Sequence, residues 1–231
     1  MLRRLTEGLA AVLPGQCAVC RSWPAQPVCE ACVARFAQPR ARCRRCALPV
    51  AAGVTECGRC LGAPPPLDAC HAAVSYEFPW SALIVQYKFH GQAGWARSFA
   101  TLMRSAPWVE PALEEADLLL PMPLSPRRLA ERGFNQALLL ARALAPERTE
   151  PRLLLRVRHT AAQMALDREE RLGNVKGAFA IEPLLAPRLR DRRVVLVDDV
   201  MTSGASLFTA AQAVRQAGAA RITALVLART D

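Results

Sequence analysis

From residue 70 onward, short apolar runs alternate with stretches in which apolar residues recur every three to four positions. The runs are HAAVSYEF, DLLLPMP, RLLLRVR, KGAFAIE, RVVLVDD and RITALVLA; between them lie an amphipathic stretch reaching Met103 and helical patterns over residues 135–145 and 206–217. A short, unbroken or alternating apolar run reads as a strand, and a 3.6-residue period reads as a helix that buries one stripe. Their alternation predicts an α/β domain with a largely parallel sheet and helices on its faces, because parallel neighbours need a crossover long enough to hold a helix. In the last helical pattern Leu207, Ala210, Ala211, Val214 and Ala217 form the inner stripe, and Gly218 closes the helix.

Sheets of this kind bind ligands beyond the carboxyl ends of their strands, so the chemistry is expected after the apolar runs and not within them. Residues 192–206, RRVVLVDDVMTSGAS, fit that rule: an apolar strand, then Asp198 and Asp199, then the loop Val200, Met201, Thr202, Ser203, Gly204, Ala205, with Ser206 opening the helix. Free loop N–H groups and the positive helix end make an anion cradle, to which Thr202, Ser203 and Ser206 add hydroxyls. Two acids beside a phosphate cradle would repel the ligand unless they hold another part of it. Vicinal ribose hydroxyls are such a part, since a carboxylate accepts two hydrogen bonds from a diol and also holds Mg²⁺ through water. The ligand implied is a ribose 5-phosphate; the alternative is a plain strand end with a helix-capping loop. The stretch is neither a P-loop, which needs a Gly-Lys-Ser/Thr ending, nor a G-x-G-x-x-G fingerprint.

The amino-terminal part has a different chemistry. Eight of nine cysteines form four C-x-x-C pairs: Cys17 and Cys20, Cys29 and Cys32, Cys43 and Cys46, Cys57 and Cys60. Two such pairs fill the tetrahedral sphere of one Zn²⁺, so four pairs predict two closed, structural zinc sites. Sequential grouping puts the first four cysteines on one ion and the second four on the other; a cross-braced pairing of first with third is the alternative. Cys70 reads as core, and His71, His90 and His159 have no ligand spacing. The triple proline in LGAPPPLDAC favours an extended connection, which places a double zinc-ribbon module at 1–62, a linker at 63–69 and the sheet domain at 70–231.

The formal charge of +10 comes almost wholly from arginine, Lys88 and Lys176 being the two lysines among 30 basic residues. Arginine suits forked contacts to phosphate oxygens, yet a solvated arginine-rich surface accounts for the charge equally well. Eight thiolates and two Zn²⁺ also bring the module from +6 (nine Arg, three Glu in 1–62) to about +2. The apolar run at 9–13 is short for a signal peptide, and no run approaches the ~20 residues of a membrane span. A cytoplasmic protein without a membrane span is expected, with reduced thiols.

At this point the residues carry a family resemblance. VVLVDDVMTSGAS resembles the phosphoribosyl-pyrophosphate motif of type I phosphoribosyltransferases. PMPLSPRRLAERGFNQALLLARALA, the R-x-R-x-T-x-x-Q pattern that begins at Arg156, and the leading cysteine pairs together resemble the ComF family (ComFC- and GntX-like) over essentially the whole chain. The resemblance implies the type I fold, phosphoribosyl pyrophosphate with Mg²⁺ as ligand, and transfer of the pentosyl group. Asp198 and Asp199 would be the catalytic acids, and residues 200–206 would cradle the 5-phosphate. Arg127, Arg128 and Arg132, beyond LLLPMP, would take the pyrophosphate. A closing loop over residues 158–174 would bring Arg158, Thr160, Gln163, Arg168 and Arg171, and Lys88 is a further candidate for a phosphate contact. Asn135 and Gln136 read equally well as helix caps.

The acceptor is not named by any residue. The family is associated with DNA uptake in competence and with use of DNA as a nutrient, which implies single-stranded DNA, or a competence helicase or translocation protein, as partners. The alternative function is therefore a non-catalytic, single-stranded-DNA-binding accessory protein of the competence machinery. Against that reading, the four tryptophans Trp23, Trp80, Trp95 and Trp108 are scattered along the chain and not clustered as a base-stacking platform.

Overall fold

The computed structural model of the chain describes residues 15–157 and 177–231. The chain forms two compact units, Met1–Gln38 and Pro39–Asp231. The first four cysteines lie in the smaller unit and the second four in the larger one, together with the sheet. In the smaller unit an antiparallel bridge pairs Gly15 with Ala25, and helix α1 (Glu30–Phe36) starts directly after Cys29.

In the larger unit a short helix α2 (Gly58–Gly62) precedes β1 (Ala69–Ser75), α3 (Trp80–Phe89), α4 (Trp95–Ser105), α5 (Val109–Glu115), β2 (Leu118–Pro121), α6 (Pro126–Arg132) and α7 (Gln136–Leu144). Then follow β3 (Leu154–Arg156), β4 (Phe179–Ile181), β5 (Arg193–Met201), α8 (Ala205–Gln216) and β6 (Arg221–Arg229). The main sheet has the order β1, β6, β5, β2 and is parallel throughout, as the alternating pattern predicts. Val197 at the centre of β5 pairs with Pro121 on one side and Leu225 on the other. Helices α4 and α7 pack on each other and on the sheet, and α8 packs on β4, β5 and β6. Each buries a stripe at three-to-four spacing: Phe99, Ala100 and Met103 from α4, Leu140, Ala141 and Leu144 from α7, and Leu207, Ala210, Ala211 and Val214 from α8.

Two of the apolar runs leave the parallel sheet. RLLLRVR and KGAFAIE contribute β3 and β4, a separate antiparallel pair with Leu154 opposite Ile181 and Arg156 opposite Phe179. A central parallel strand must be apolar on both faces, whereas each of these strands buries one residue and leaves two partly exposed.

The second set of cysteines is built into this unit. Cys43, Cys46, Cys57 and Cys60 belong to one buried cluster with Cys70, Leu196, Ala210 and Val226. The Cys70 N–H donates to the Arg44 carbonyl (2.7 Å), and Arg45 reaches the Leu67 carbonyl (2.9 Å).

Asp68 ties the entry of β1 to β6. Its carboxylate accepts from the Ile222 N–H (2.7 Å) and from Arg215, while its own N–H donates to the Ile222 carbonyl (2.9 Å). Burial works against the charged form, but these donors hold the carboxyl below its usual value. Such stability is present above the unfolded-state pKa and is lost as pH falls through the folded one. Asp68→Ala should therefore cost about 1 kcal/mol at neutral pH, a charged hydrogen bond discounted for partial exposure. In urea denaturation the difference from wild type should shrink as pH drops below about 4.

Candidate functional site

Side chains alternate across a strand, so the adjacent acids of β5 face opposite sides of the sheet. Asp198 continues the face of Val194 and Leu196, which pack in the cluster with α8. Asp199 turns to the other side, where Lys88 in the last turn of α3 lies 2.9 Å from its Oδ1. The two carboxyls stay linked, because the Asp199 N–H donates to Asp198 Oδ1 (2.9 Å). Burial, with the Asp199 charge added, pushes the Asp198 carboxyl up to about 7, and Lys88 pulls in the opposite direction. Lys88, expected at a phosphate, is thus the counter-ion of an acid in this structure. Its helix end is anchored to α7: the Tyr87 hydroxyl donates to the Gln136 carbonyl (2.8 Å), and Gln136 Nε2 donates to the Lys88 carbonyl (3.3 Å).

The loop after β5 closes on Gly204, the N-cap of α8, at φ 85°. The dihedral favours glycine, and a Cβ there would lie 2.6 Å from both Met201 Cε and Phe208 Cζ, so those side-chain ends would have to shift to admit one. The turn leaves the start of a twelve-residue helix open next to the acids, and Thr202 and Ser206 line the same cleft as Asp198 and Asp199. Ser203 turns inward to accept from the Ala205 N–H (3.4 Å). Val200 and Met201, expected in the loop, are the last two residues of β5, because the strand stays paired with β6 through Met201; Val200 lines the cleft too, whereas Met201, Gly204 and Ala205 are buried and shape the loop from below.

The cleft, about 180 Å³, is lined by Lys88 of α3 and receives further cations from α6 and β3. Helix α6 is capped by Ser125, whose hydroxyl accepts from the Arg128 N–H (3.4 Å), and ends at Gly133 with φ 76°. Arg128 and Arg132 point into the cleft; Arg127 does not, being exposed and paired with Glu131 at 2.8 Å. Arg132 is steadied by Gln136 Oε1 (3.1 Å) and the Phe89 ring, 5.2 Å away. Asn135 does cap α7: Oδ1 accepts from the Leu138 N–H (3.2 Å) while Nδ2 donates to the Met122 carbonyl (3.1 Å). Arg156, the first arginine of the R-x-R pattern, also lines the cleft, stacked over Phe179 at 5.4 Å. Reading the residues in order passes over it, although its place just after an apolar run is the signal that marks the other site residues. Burial and then the neighbouring cation, Arg132 for Arg128 and Arg128 for Arg156, lower both guanidinium pKa values. Arg158, Thr160, Gln163, Arg168 and Arg171 lie outside the described residues. A larger cleft of about 680 Å³ opens over the amino-terminal halves of β1, β5 and β6, flanked by Trp108, and holds none of the expected ligand-binding residues.

The cysteines gather in the sequential grouping. Within each set, Cys17, Cys20, Cys29, Cys32 and Cys43, Cys46, Cys57, Cys60, the sulfurs lie within 4.8 Å of one another. A tetrahedral ion with 2.3 Å bonds separates its sulfurs by about 3.8 Å, and the pairs Cys17–Cys32, Cys20–Cys29 and Cys46–Cys57 stand at 3.9, 3.6 and 3.7 Å. All nine cysteines are free thiols. The backbone turns N–H groups toward sulfur, Cys29 to Cys17 (3.4 Å) and Cys57 to Cys43 (3.3 Å). Both sets fit a closed structural zinc site.

A parallel sheet with paired acids and a glycine-closed loop at its carboxyl edge defines a phosphoribosyl transferase domain, and residues 135–231 match that domain family. Over 227 residues the chain is 34% identical to the DNA utilization protein YhgH of Salmonella typhimurium, an alignment covering 94% of this chain and 98% of that protein. It is 33% identical to Competence protein F of Haemophilus influenzae, covering 81% and 84% of the two chains, and 28% identical to Competence protein ComFC of Streptococcus pneumoniae, covering 76% of each. The chain belongs to the ComF family of phosphoribosyltransferase-domain proteins. Among the described residues no helix is long and apolar enough to cross a membrane.

Two outcomes follow from the site. The purified chain should contain about two zinc ions by elemental analysis; because the second cluster lies in the sheet core, chelation should lower the melting temperature of the larger unit as well. A chelated sheet unit that melts unchanged would contradict this. Asp198, whose folded pKa is raised, contributes stability that is present below about pH 4 and lost as pH rises through about 7. Asp198→Asn should accordingly stabilise the ligand-free protein by roughly 1–3 kcal/mol at pH 8 and leave it unchanged near pH 4, measured by denaturant titration at both values.

Proposed function

We propose that the cleft at the carboxyl ends of β2 and β5 binds phosphoribosyl pyrophosphate with Mg²⁺, and that the chain acts there as a type I phosphoribosyltransferase serving DNA utilisation or competence. The observation that carries this reading is the placement of the Gly204-closed loop, at the start of α8, directly beyond Asp198 and Asp199 and opposite Arg128 and Arg132. The 5-phosphate suits the loop and its hydroxyls, the ribose diol suits the two carboxylates, and the pyrophosphate suits the arginines. Mg²⁺, held through the acids and the diphosphate, would offset leaving-group charge.

In the reaction the bond from C1 of the ribose to the pyrophosphate oxygen breaks, and a bond from C1 to a nitrogen of the acceptor forms. Pyrophosphate leaves with the bonding electron pair, and the acceptor nitrogen gives up its proton to the departing pyrophosphate or to solvent. Asp198 and Asp199 fix the ring through its hydroxyls and carry negative charge near a ring that becomes cation-like. Lys88 holds Asp199 in place, while Arg128 and Arg132 receive the charge that builds on the leaving group. Positioning and charge stabilisation are the whole task of the protein.

The names of the relatives, a DNA utilization protein and two competence proteins, support a second reading in which the same cleft binds its ligand without turnover and the chain serves as a single-stranded-DNA-binding accessory. Release of pyrophosphate with a defined base separates the two. For the ligand itself, phosphoribosyl pyrophosphate with Mg²⁺ should stabilise the folded chain by about 2.7 kcal/mol at a hundred times its dissociation constant, and adenine alone should not. In the Asp198→Asn, Asp199→Asn double variant that gain should shrink, while the ligand-free melting temperature reflects two opposed changes, relief of the crowded acids and a buried Lys88 left without its counter-ion. A double variant that melts lower without ligand and responds to it as wild type does would assign the acids a structural role instead.

A further inference from the structure

The cleft does not use Arg229, which ends β6 with 3% of its surface exposed. A buried guanidinium must place its donors on acceptors, and those of Arg229 lie on two sides. Its Nε donates to the Cys46 carbonyl (3.0 Å), inside the second cysteine cluster. Its Nη1 donates to the Met201 carbonyl (3.3 Å) and to both oxygens of Thr230.

Met201 is the last residue of β5 and the point from which the phosphate loop departs. Its carbonyl also accepts from the Thr230 N–H (3.1 Å), its sulfur lies 3.6 Å from Cys70 Sγ, and its methyl group fills the space beside Gly204 that a side chain there would need. On the cluster side, the turn that carries Cys46 is gripped by a second arginine, Arg42, which donates to the Ala47 carbonyl (3.1 Å) and to Ser75 Oγ (2.9 Å). One buried side chain thus joins the backbone of a metal-dependent turn to the backbone that sets the loop. Turns of this kind owe their fold to the ion, and a four-thiolate zinc centre, with a net charge of −2, suits a buried cation beside it.

We propose that Arg229 is a positioning residue that couples the second cysteine cluster to the phosphate loop, so that metal in that cluster sets how tightly the cleft holds its phosphorylated ligand. The proposal rests on the reading of residues 202–206 as the 5-phosphate cradle. The first cluster, in the other compact unit, has no part in it.

The test is hydrogen exchange at two amides flanking the loop, Phe208, which donates to the Gly204 carbonyl, and Thr230, which donates to Met201. It is run on the full chain as wild type, Arg229→Met and Arg229→Lys, each with its zinc content measured, alongside calorimetric titration with phosphoribosyl pyrophosphate and Mg²⁺. Arg229→Met should keep its zinc while both amides exchange about tenfold faster and affinity falls about tenfold, within the span usual for coupled sites. Arg229→Lys, which restores the charge and one donor, should lie between. Chelation of the wild type should reproduce the faster exchange and add little to that of Arg229→Met, because both remove the same link. Unchanged protection in an Arg229→Met chain that holds zinc, or in chelated wild type, overturns the coupling. If Arg229→Met fails to fold, Arg229→Lys and chelated wild type decide by the same amides. Zinc-loaded wild type that binds no phosphoribosyl pyrophosphate refutes the ligand reading, while the exchange rates still decide the coupling.

Discussion

The strand β5 is hydrogen-bonded on both edges and covered on both faces, with β2 and β6 beside it, α8 on one side and α3 and α7 on the other. A strand in that position tolerates only apolar side chains along its buried length, and residues 194–197 meet the demand. Its polar residues are pushed to the carboxyl edge, where the pleat sends Asp198 and Asp199 to opposite faces. That separation leaves the neighbouring acids in different settings: Asp199 has Lys88 as counter-ion, while Asp198, its pKa raised by burial and by the Asp199 charge, faces Arg128 and Arg156 across the cleft. The site follows from burying one strand completely and then ending it.

The same strand end is held from below by the amino-terminal chemistry. The second cysteine set sits against β1 and β6 in the sheet core, and its turn reaches the start of the loop after β5 through Arg229. The first set forms in a compact unit of its own. Two copies of one sequence pattern therefore have different mechanical settings, because the residues after Cys43 bond to β1 through Arg44 and to Leu67, just before that strand, through Arg45.

The cations show how far a linear reading reaches. The arginines at 127, 128 and 132 are equivalent in sequence, but a seven-residue helix turns its residues by about 100° each, so Arg128 and Arg132 share the cleft side while Arg127 pairs with Glu131 outside. Arg156 enters the cleft because β3 leaves the main sheet and pairs with β4, setting its guanidinium on the Phe179 ring. Lys88 reaches Asp199 from a helix more than a hundred residues away in the chain. Apart from the position of Arg156 directly after an apolar run, none of these placements has a local signal, since each depends on which face of a distant element meets the strand end.

The sequence by itself determined the parallel α/β class, the position of the acids at the carboxyl end of β5 and of the loop that follows, the stripe of α8 and the eight cysteines suited to two tetrahedral sites. Those features are set by period, by spacing and by the conformational needs of single residues, all of which are local. The tertiary structure alone decided which arginines face the cleft, the pairing of Lys88 with Asp199, the departure of β3 and β4 from the sheet, and the burial of the second cysteine set in the sheet core. These depend on contacts between residues far apart in the chain, and a contact of that kind is settled by how whole faces pack, which no short stretch of sequence records.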